Sequence, residues 1–203
     1  MNSKQHWETV YSTKSDREVG WFQENPNTSL KLILDYTYDK NQPFIDVGGG
    51  NSYLSKILFE IGFTNITVLD ISGRALERSR NRLGYDGKKI KWIEADVTNF
   101  SSDTLYQLWH DRAVFHFLIN DDEIKQYAKV AGRQIAKGGF LILGAFSLSG
   151  PTSCSGLTIT QYSEEKLTNV FAGDFELINC FENVHTTPSG NKQNFIWVVF
   201  RKN

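Results

Sequence analysis

Apolar and polar positions along this chain switch between two periods. The runs Phe44-Ile45-Asp46-Val47, Ile66-Thr67-Val68-Leu69-Asp70, Lys91-Trp92-Ile93-Glu94 and Phe140-Leu141-Ile142-Leu143 are short, apolar and rich in β-formers, which predicts buried strands. Between them the spacing turns helical. Leu54, Ile57, Leu58 and Ile61 recur at i, i+3, i+4 and i+7. A second helix is expected around Arg74 to Leu83, stopped by Gly84. A third, over 121–137, puts Ile124, Tyr127, Ala128, Ala131 and Ile135 on one face, with Lys137-Gly138-Gly139 ending it. Alternating strands and helices favour right-handed βαβ crossovers and a parallel sheet. Two features flank this core. Residues 1–28 read as a short helix plus loop, and Asn25-Pro26-Asn27-Thr28 breaks the pattern before a helix starting near Ser29. At the other end, Phe175–Ile178 and Phe195–Phe200, joined by a loop at Thr186–Gly190, read as a terminal antiparallel hairpin.

The chemistry concentrates where strands end. The first run passes through Asp46 into Gly48-Gly49-Gly50, a turn that lets a ligand approach the backbone without meeting a Cβ. The second run ends in Asp70 and the third leads into Asp96, so carboxylates fall at one edge of the predicted sheet, where open α/β sheets bind ligands. Each aspartate alone is as well explained by a turn or cap; three in phase point to a ligand. An ionised carboxylate only accepts hydrogen bonds, so Asp70 suits a ribose diol, Asp96 an exocyclic adenine amine and Asp46 an ammonium group. Ser52 and Tyr53 stand around the third glycine position of the dinucleotide fingerprint. A ligand bearing adenosine and a charged amino acid, without a diphosphate, fits this pattern.

Asp46-Val47-Gly48-Gly49-Gly50, Asp70-Ile71 and Ala95-Asp96-Val97 resemble the first three cofactor motifs of class I methyltransferases dependent on S-adenosylmethionine (SAM). Trp7-Glu8-Thr9-Val10-Tyr11 and Trp21-Phe22 resemble the elements before the core in elongation-factor lysine methyltransferases. The resemblance spans nearly the whole chain. It implies an α/β Rossmann-like three-layer sandwich, with a mostly parallel seven-stranded sheet closed by a C-terminal antiparallel hairpin. Residues 1–203 would form one domain, with 1–28 a cap over the cofactor. Trp7, Tyr11 and Trp21 would roof that cofactor, while Asp46, Gly48, Gly49, Gly50, Asp70, Ile71, Asp96, Val97, His110 and Arg112 would hold it. His110 and Asp111, at the end of the fourth strand, are the candidate catalytic groups, and S-adenosylhomocysteine (SAH) would be the product. Arg112, Ala113 and Val114 stand where that lysine-methylating group carries lysine, glycine and threonine. The acceptor implied is a protein lysine or a small metabolite. An NAD-dependent oxidoreductase and a non-catalytic SAM-binding module are the rival readings.

Composition narrows the partners. A formal charge of −1 argues against a nucleic-acid surface. The sequence has no apolar run long enough to span a bilayer, and Met1-Asn2-Ser3-Lys4-Gln5 lacks the apolar core of a signal peptide. Cys154 and Cys180 are too few and too far apart for a zinc site or disulfide framework, so no metal and a reducing cytoplasm are expected. The arginines at 74, 78, 80 and 82 read as a solvated helix face. An Asp111–Arg112 ion pair is the structural alternative for the fourth-strand end, and His116 is a second pocket candidate. The loop Gly150–Gly156 is expected to rim the acceptor pocket, and His185 is placed in the terminal hairpin loop.

Overall fold

A computed structural model describes residues 3–203; Met1 and Asn2, the start of the expected cap, lie outside the described residues. The chain runs α1 (Ser3–Thr13), α2 (Asn27–Asp35), β1 (Phe44–Val47), α3 (Leu54–Glu60), β2 (Ile66–Asp70), α4 (Gly73–Leu83) and β3 (Lys91–Glu94). It continues through β4 (Tyr106–Arg112), α5 (Asp121–Gln134), β5 (Ile135–Phe146), the short pair β6 (Ser153–Cys154) and β7 (Leu157–Thr158), α6 (Glu164–Phe171), β8 (Phe175–Thr186) and β9 (Lys192–Lys202). Within these residues the main sheet has seven strands in the order β3-β2-β1-β4-β5-β9-β8. The first five are parallel; β9 runs antiparallel to both β5 and β8. This is the α/β sandwich the sequence resemblance implies.

Strand alternation sorts side chains between two faces. Ile45, Val47, Trp109, Leu141 and Leu143 pack with α5 and α6 residues such as Tyr127, Val130, Leu167 and Phe171. Phe44, Val68, Leu108 and Ile142 pack with Leu32 and Ile33 of α2, Leu54 and Leu58 of α3 and Leu76 of α4. The order reverses at β1, with β2 on one side and β4 on the other. The strand ends of β1, β2 and β4 therefore open onto one crevice.

Three boundaries differ from the sequence expectation. The helix expected to reach Lys137 ends at Gln134, and β5 begins at once with Ile135 pairing Tyr106. Sheet pairing there outcompetes the helical spacing. The hairpin strands are longer than their apolar runs, because pairing extends from Phe175↔Lys202 to Thr186↔Lys192. His185 consequently lies in β8, not in the loop.

Candidate active site

The glycine turn is shaped by what each missing Cβ leaves room for. Gly48 has φ +69°, and a Cβ there would sit 2.0 Å from Val114 Cγ2. A Cβ on Gly49 would lie 2.2 Å from Asp46 Oδ2, and one on Gly50 would lie 2.5 Å from Asp70 Oδ2. The three glycines thus let two carboxylates and one β4-proximal side chain close against the backbone. Gly50 N donates to Asp70 Oδ2 at 3.0 Å and Ser72 N to Asp70 Oδ1 at 2.8 Å. Each oxygen keeps acceptor capacity, which a vicinal diol can use. Burial pushes the Asp70 carboxyl up to about 6, opposed by those two N–H bonds.

A cavity of about 180 Å³ lies beyond these tips. Trp7, Tyr11, Trp21, Gly48, Asp70, Ile71, Asp96, Val97 and Arg112 all line it. Asp96 Oδ1 accepts from Thr98 N and Thr98 Oγ1, leaving Oδ2 for an exocyclic amine. Leu69, Thr98, Phe117 and Leu118 also line the cavity and were not singled out in the sequence. Thr98 closes a local turn on Asp96, and Phe117 meets Trp7 edge-on at a centroid distance of 5.0 Å. Trp7 packs edge-on against Trp21 at 5.6 Å, and Tyr11 does so at 6.1 Å. The N-terminal aromatics form one layer over the crevice.

That layer is fastened by the helix expected to be solvated. Arg82 Nη2 donates to Asp16 Oδ2 at 2.8 Å and to Asn51 Oδ1 at 2.9 Å, while Nη1 meets Ser52 O at 3.2 Å. Its guanidinium also covers the Tyr53 ring at 4.0 Å. Arg78 donates to Lys14 O, and Arg74 pairs with Glu8 at 3.2 Å. Lys4 pairs with Glu94 at the tip of β3. Arg78 and Arg82 therefore tie down the N-terminal segment, while Arg74, with a side chain 62% exposed, and Arg80 keep the expected solvated face. Across the molecule, His185 Nε2 donates to Gly20 O at 2.8 Å and Nδ1 accepts from Gln23 at 3.2 Å. Burial lowers its pKa, and Arg112 adds to the effect.

The end of β4 departs most from expectation. Asp111 lies on the α5 face, fully buried. Its Oδ1 accepts from Val114 N at 3.0 Å and its Oδ2 from Tyr127 Oη at 2.7 Å. Burial pushes this carboxyl up to about 6. It forms no ion pair with Arg112 and lines none of the cavities described here. Its role is to fold the turn after β4, which sets it apart from the expected proton acceptor. His110 points to the opposite face: Nδ1 donates to Asp46 Oδ1 at 2.7 Å, and Nε2 lies 3.0 Å from Ser29 Oγ, whose hydroxyl it accepts. It borders a side pocket of about 50 Å³ shared with Asp46, Gly48, Gly49 and Arg112, not the main cavity. Asp46 Oδ2 is sealed from solvent and has no hydrogen-bond partner among the described residues. An ammonium group would satisfy it. His116 is fully buried against Phe117 and Phe146. Burial lowers its pKa to about 3, with Arg112 adding to the shift, and it lines none of these cavities. Cys154, in the expected rim loop, does line the main cavity.

These groups fit SAM. A buried carboxylate with free lone pairs, an exposed one beside it, an orphaned acceptor behind a glycine turn and an aromatic roof match its diol, adenine, ammonium and sulfonium in turn.

The family model described as "Methyltransferase domain" matches residues 44–139, from β1 into β5. Human EEF1A lysine methyltransferase 2 is 27% identical over 193 residues, which cover 88% of this chain and 76% of the relative. Among solved structures, an N-methyltransferase, NodS from Bradyrhizobium japonicum WM9 in complex with SAH, superposes with a TM-score of 0.73 at 17% identity, covering 100% of this chain and 99% of that one. A second structure, described by the words "Conversion of a Disulfide Bond into a Thioacetal Group during Echinomycin Biosynthesis", reaches a TM-score of 0.82 at 16% identity, covering 98% and 93%. The oxidoreductase reading falls, since sheet order, glycine turn and relatives agree on one alternative. Among the described residues no helix is long and apolar enough to cross a membrane. Residues 44–139 carry a methyltransferase domain, and the relatives and the fold together make the chain a SAM-dependent methyltransferase.

Proposed function

We propose that this enzyme methylates a small acceptor that enters through a polar outer groove and arrives already able to act as a nucleophile. The groove, about 700 Å³, is lined by Gln23, Asn25, Asn27, Thr28, Asn183 and His185, and it meets the inner cavity at Arg112. One observation carries the reading: among the described residues the cavity's carboxylates are Asp70, Asp96 and Glu123, none of which lines the groove, and the wall near Arg112 is formed instead by Trp7, Tyr11, Trp21, Phe117 and Cys154. Trp7, Trp21 and Phe117 have no group able to take a proton. Burial raises the Tyr11 hydroxyl well above its usual range and the Cys154 thiol to about 11, so both stay protonated. Arg112 is lowered by burial to about 10 and stays cationic.

When bound, SAM supplies a methyl group already activated on a sulfonium. The chain's own contribution is then to align and to exclude water, effects worth several kcal/mol, up to about 7–11 in ideal cases. Asp70 and Asp96 would hold the adenosine and Asp46 the ammonium, with His110 and Ser29 keeping Asp46 oriented. Val97, Ile71 and the three glycines shape the adenosine and amino-acid ends. In this reading His110 and Asp111 support the site and neither moves a proton. A cytoplasmic location, with Cys154 and Cys180 as free thiols, and a one-domain organisation with residues 1–28 as its cap belong to the same proposal.

A protein lysine is the second reading, favoured by the relative named as an EEF1A lysine methyltransferase. Against it, a lysine ammonium brought near Arg112 meets a like charge, on the order of 4 kcal/mol at about 4 Å in an effective dielectric of about 20. Incubation with radiolabelled SAM and cell extract separates the two. Label in the low-mass fraction is expected, and label in a discrete protein band would favour the lysine.

A further inference from the structure

Arg112 is an unusual cation. It ends β4 on the same strand face as His110, half-buried at the meeting point of the inner cavity, the side pocket and the outer groove. Nη1 donates to Trp21 O at 2.9 Å. Nη2 is sealed from solvent and has no hydrogen-bond partner among the described residues. No carboxylate among the described residues lies within 4.0 Å of the guanidinium, whose other close neighbour is the Phe195 ring at 5.2 Å. A desolvated donor left unpaired is costly, and a guanidinium is built to take two oxygens of one carboxylate. The one carboxylate whose charge reaches the guanidinium among the described residues is Asp46, which shares the side pocket with it and is already engaged by the His110 ring. His116 and His185 are held neutral by burial. In the groove the one acidic side chain, Glu24, stands 3.9 Å from Arg17.

We propose that Arg112 is the anchor for a carboxylate or similar oxyanion on the acceptor, so that the substrate class is a small anionic molecule. This rests on the small-acceptor reading above and sharpens it. Two sources could supply such a group: the acceptor, or the amino-acid end of SAM itself. The position favours the acceptor. Arg112 opens onto the groove beside Asn183, His185 and Trp197, none of which borders the adenosine end. The neighbouring carboxylates are arranged differently, since Asp70 and Asp96 line the inner cavity but not the groove.

The test uses the full chain saturated with SAH, with benzoate, benzamide and butylamine as probes read by calorimetry. Benzoate is expected to bind at least tenfold more tightly than the neutral benzamide or the cationic butylamine. In Arg112→Gln that preference should vanish, while SAH affinity stays within about twofold. Three results overturn the proposal: no benzoate preference in the wild type, a preference that persists in Arg112→Gln, or a tenfold loss of SAH affinity, which would give the guanidinium to the cofactor. Arg112→Lys covers a failure of the first variant to fold. It keeps the charge without the planar fork, and benzoate should weaken at least threefold; unchanged benzoate binding would contradict the assignment. Absence of SAH binding in the wild type would instead count against the methyltransferase reading itself.

Discussion

The two halves of the crevice are built on different principles. On the β1–β2–β3 side, the site is backbone and carboxylate. Gly49 and Gly50 yield space to Asp46 and Asp70, and the main-chain N–H groups of Gly50 and Ser72 fix Asp70 within the turn. On the β4 and β8–β9 side, the site is side chain on side chain. Trp7, Trp21 and Phe117 stack edge-on, Arg112 reaches across to Trp21 O, and His185 ties a distant strand to Gly20. The first half depends on residues near one another in sequence; the second needs segments more than 90 residues apart to meet. A donor common to a large family of reactions can be held by the first kind of construction. Acceptor choice, which differs from enzyme to enzyme, falls to the second.

Breaking the donor half should give the largest effect. Gly50→Ala drives a Cβ to 2.5 Å from Asp70 Oδ2 and 2.6 Å from Ala75 Cβ, and SAH affinity should fall by about 100-fold, or roughly 2.7 kcal/mol, in a calorimetric titration. The roof comes next. Trp7→Ala should weaken SAM by about tenfold, within the roughly 0.5–2 kcal/mol range of cation–π contacts, and weaken SAH by less because it carries no sulfonium. Equal losses would show that Trp7 acts by packing alone. The clamp is smaller again. Arg82→Gln removes the bonds to Asp16 and Asn51 and should raise the SAH dissociation rate several-fold in stopped flow, with about 1 kcal/mol or less lost in stability.

The last effect concerns pH and is read in stability, not in binding. Asp111 is raised to about 6 in the fold from about 3.9 in an unfolded chain, so the folded state binds the extra proton. Its contribution is present below about pH 4 and is lost as pH rises towards 6. The melting temperature of the wild type minus that of Asp111→Asn should therefore fall between about pH 4 and 6, by a few degrees, and flatten above 7. A flat difference throughout would show that the buried carboxyl does not exchange its proton on unfolding.

The contrast between the halves also explains what could be read from sequence. The strand–glycine–helix start, Asp70 and Asp96 are local patterns whose chemistry follows from residue type and order. The aromatic roof was legible only by resemblance, since Trp7 and Trp21 serve equally well as packing. The β4 end was misread because adjacency in sequence means opposite faces in a strand: His110 and Arg112 share one face, and Asp111 the other, with Tyr127. The parity of the flanking apolar residues carried that signal, as Trp109 and Asp111 go together against α5. Nothing local could have paired Arg82 with Asp16 or His110 with Ser29, because those contacts exist only once the crossovers close. The gathering of the candidate donor residues at one crevice was thus largely readable, and the side-chain partners that hold them there were not.

The central claim is that donor and acceptor are held by separable groups, carboxylates for the one and a guanidinium for the other. Its most direct test is a calorimetric titration of SAH into Asp70→Asn and Arg112→Gln side by side, each confirmed to melt cooperatively. The account predicts a loss of about 100-fold in the first and a change within about twofold in the second. Undiminished SAH affinity in Asp70→Asn, or equal losses in both variants, would contradict it.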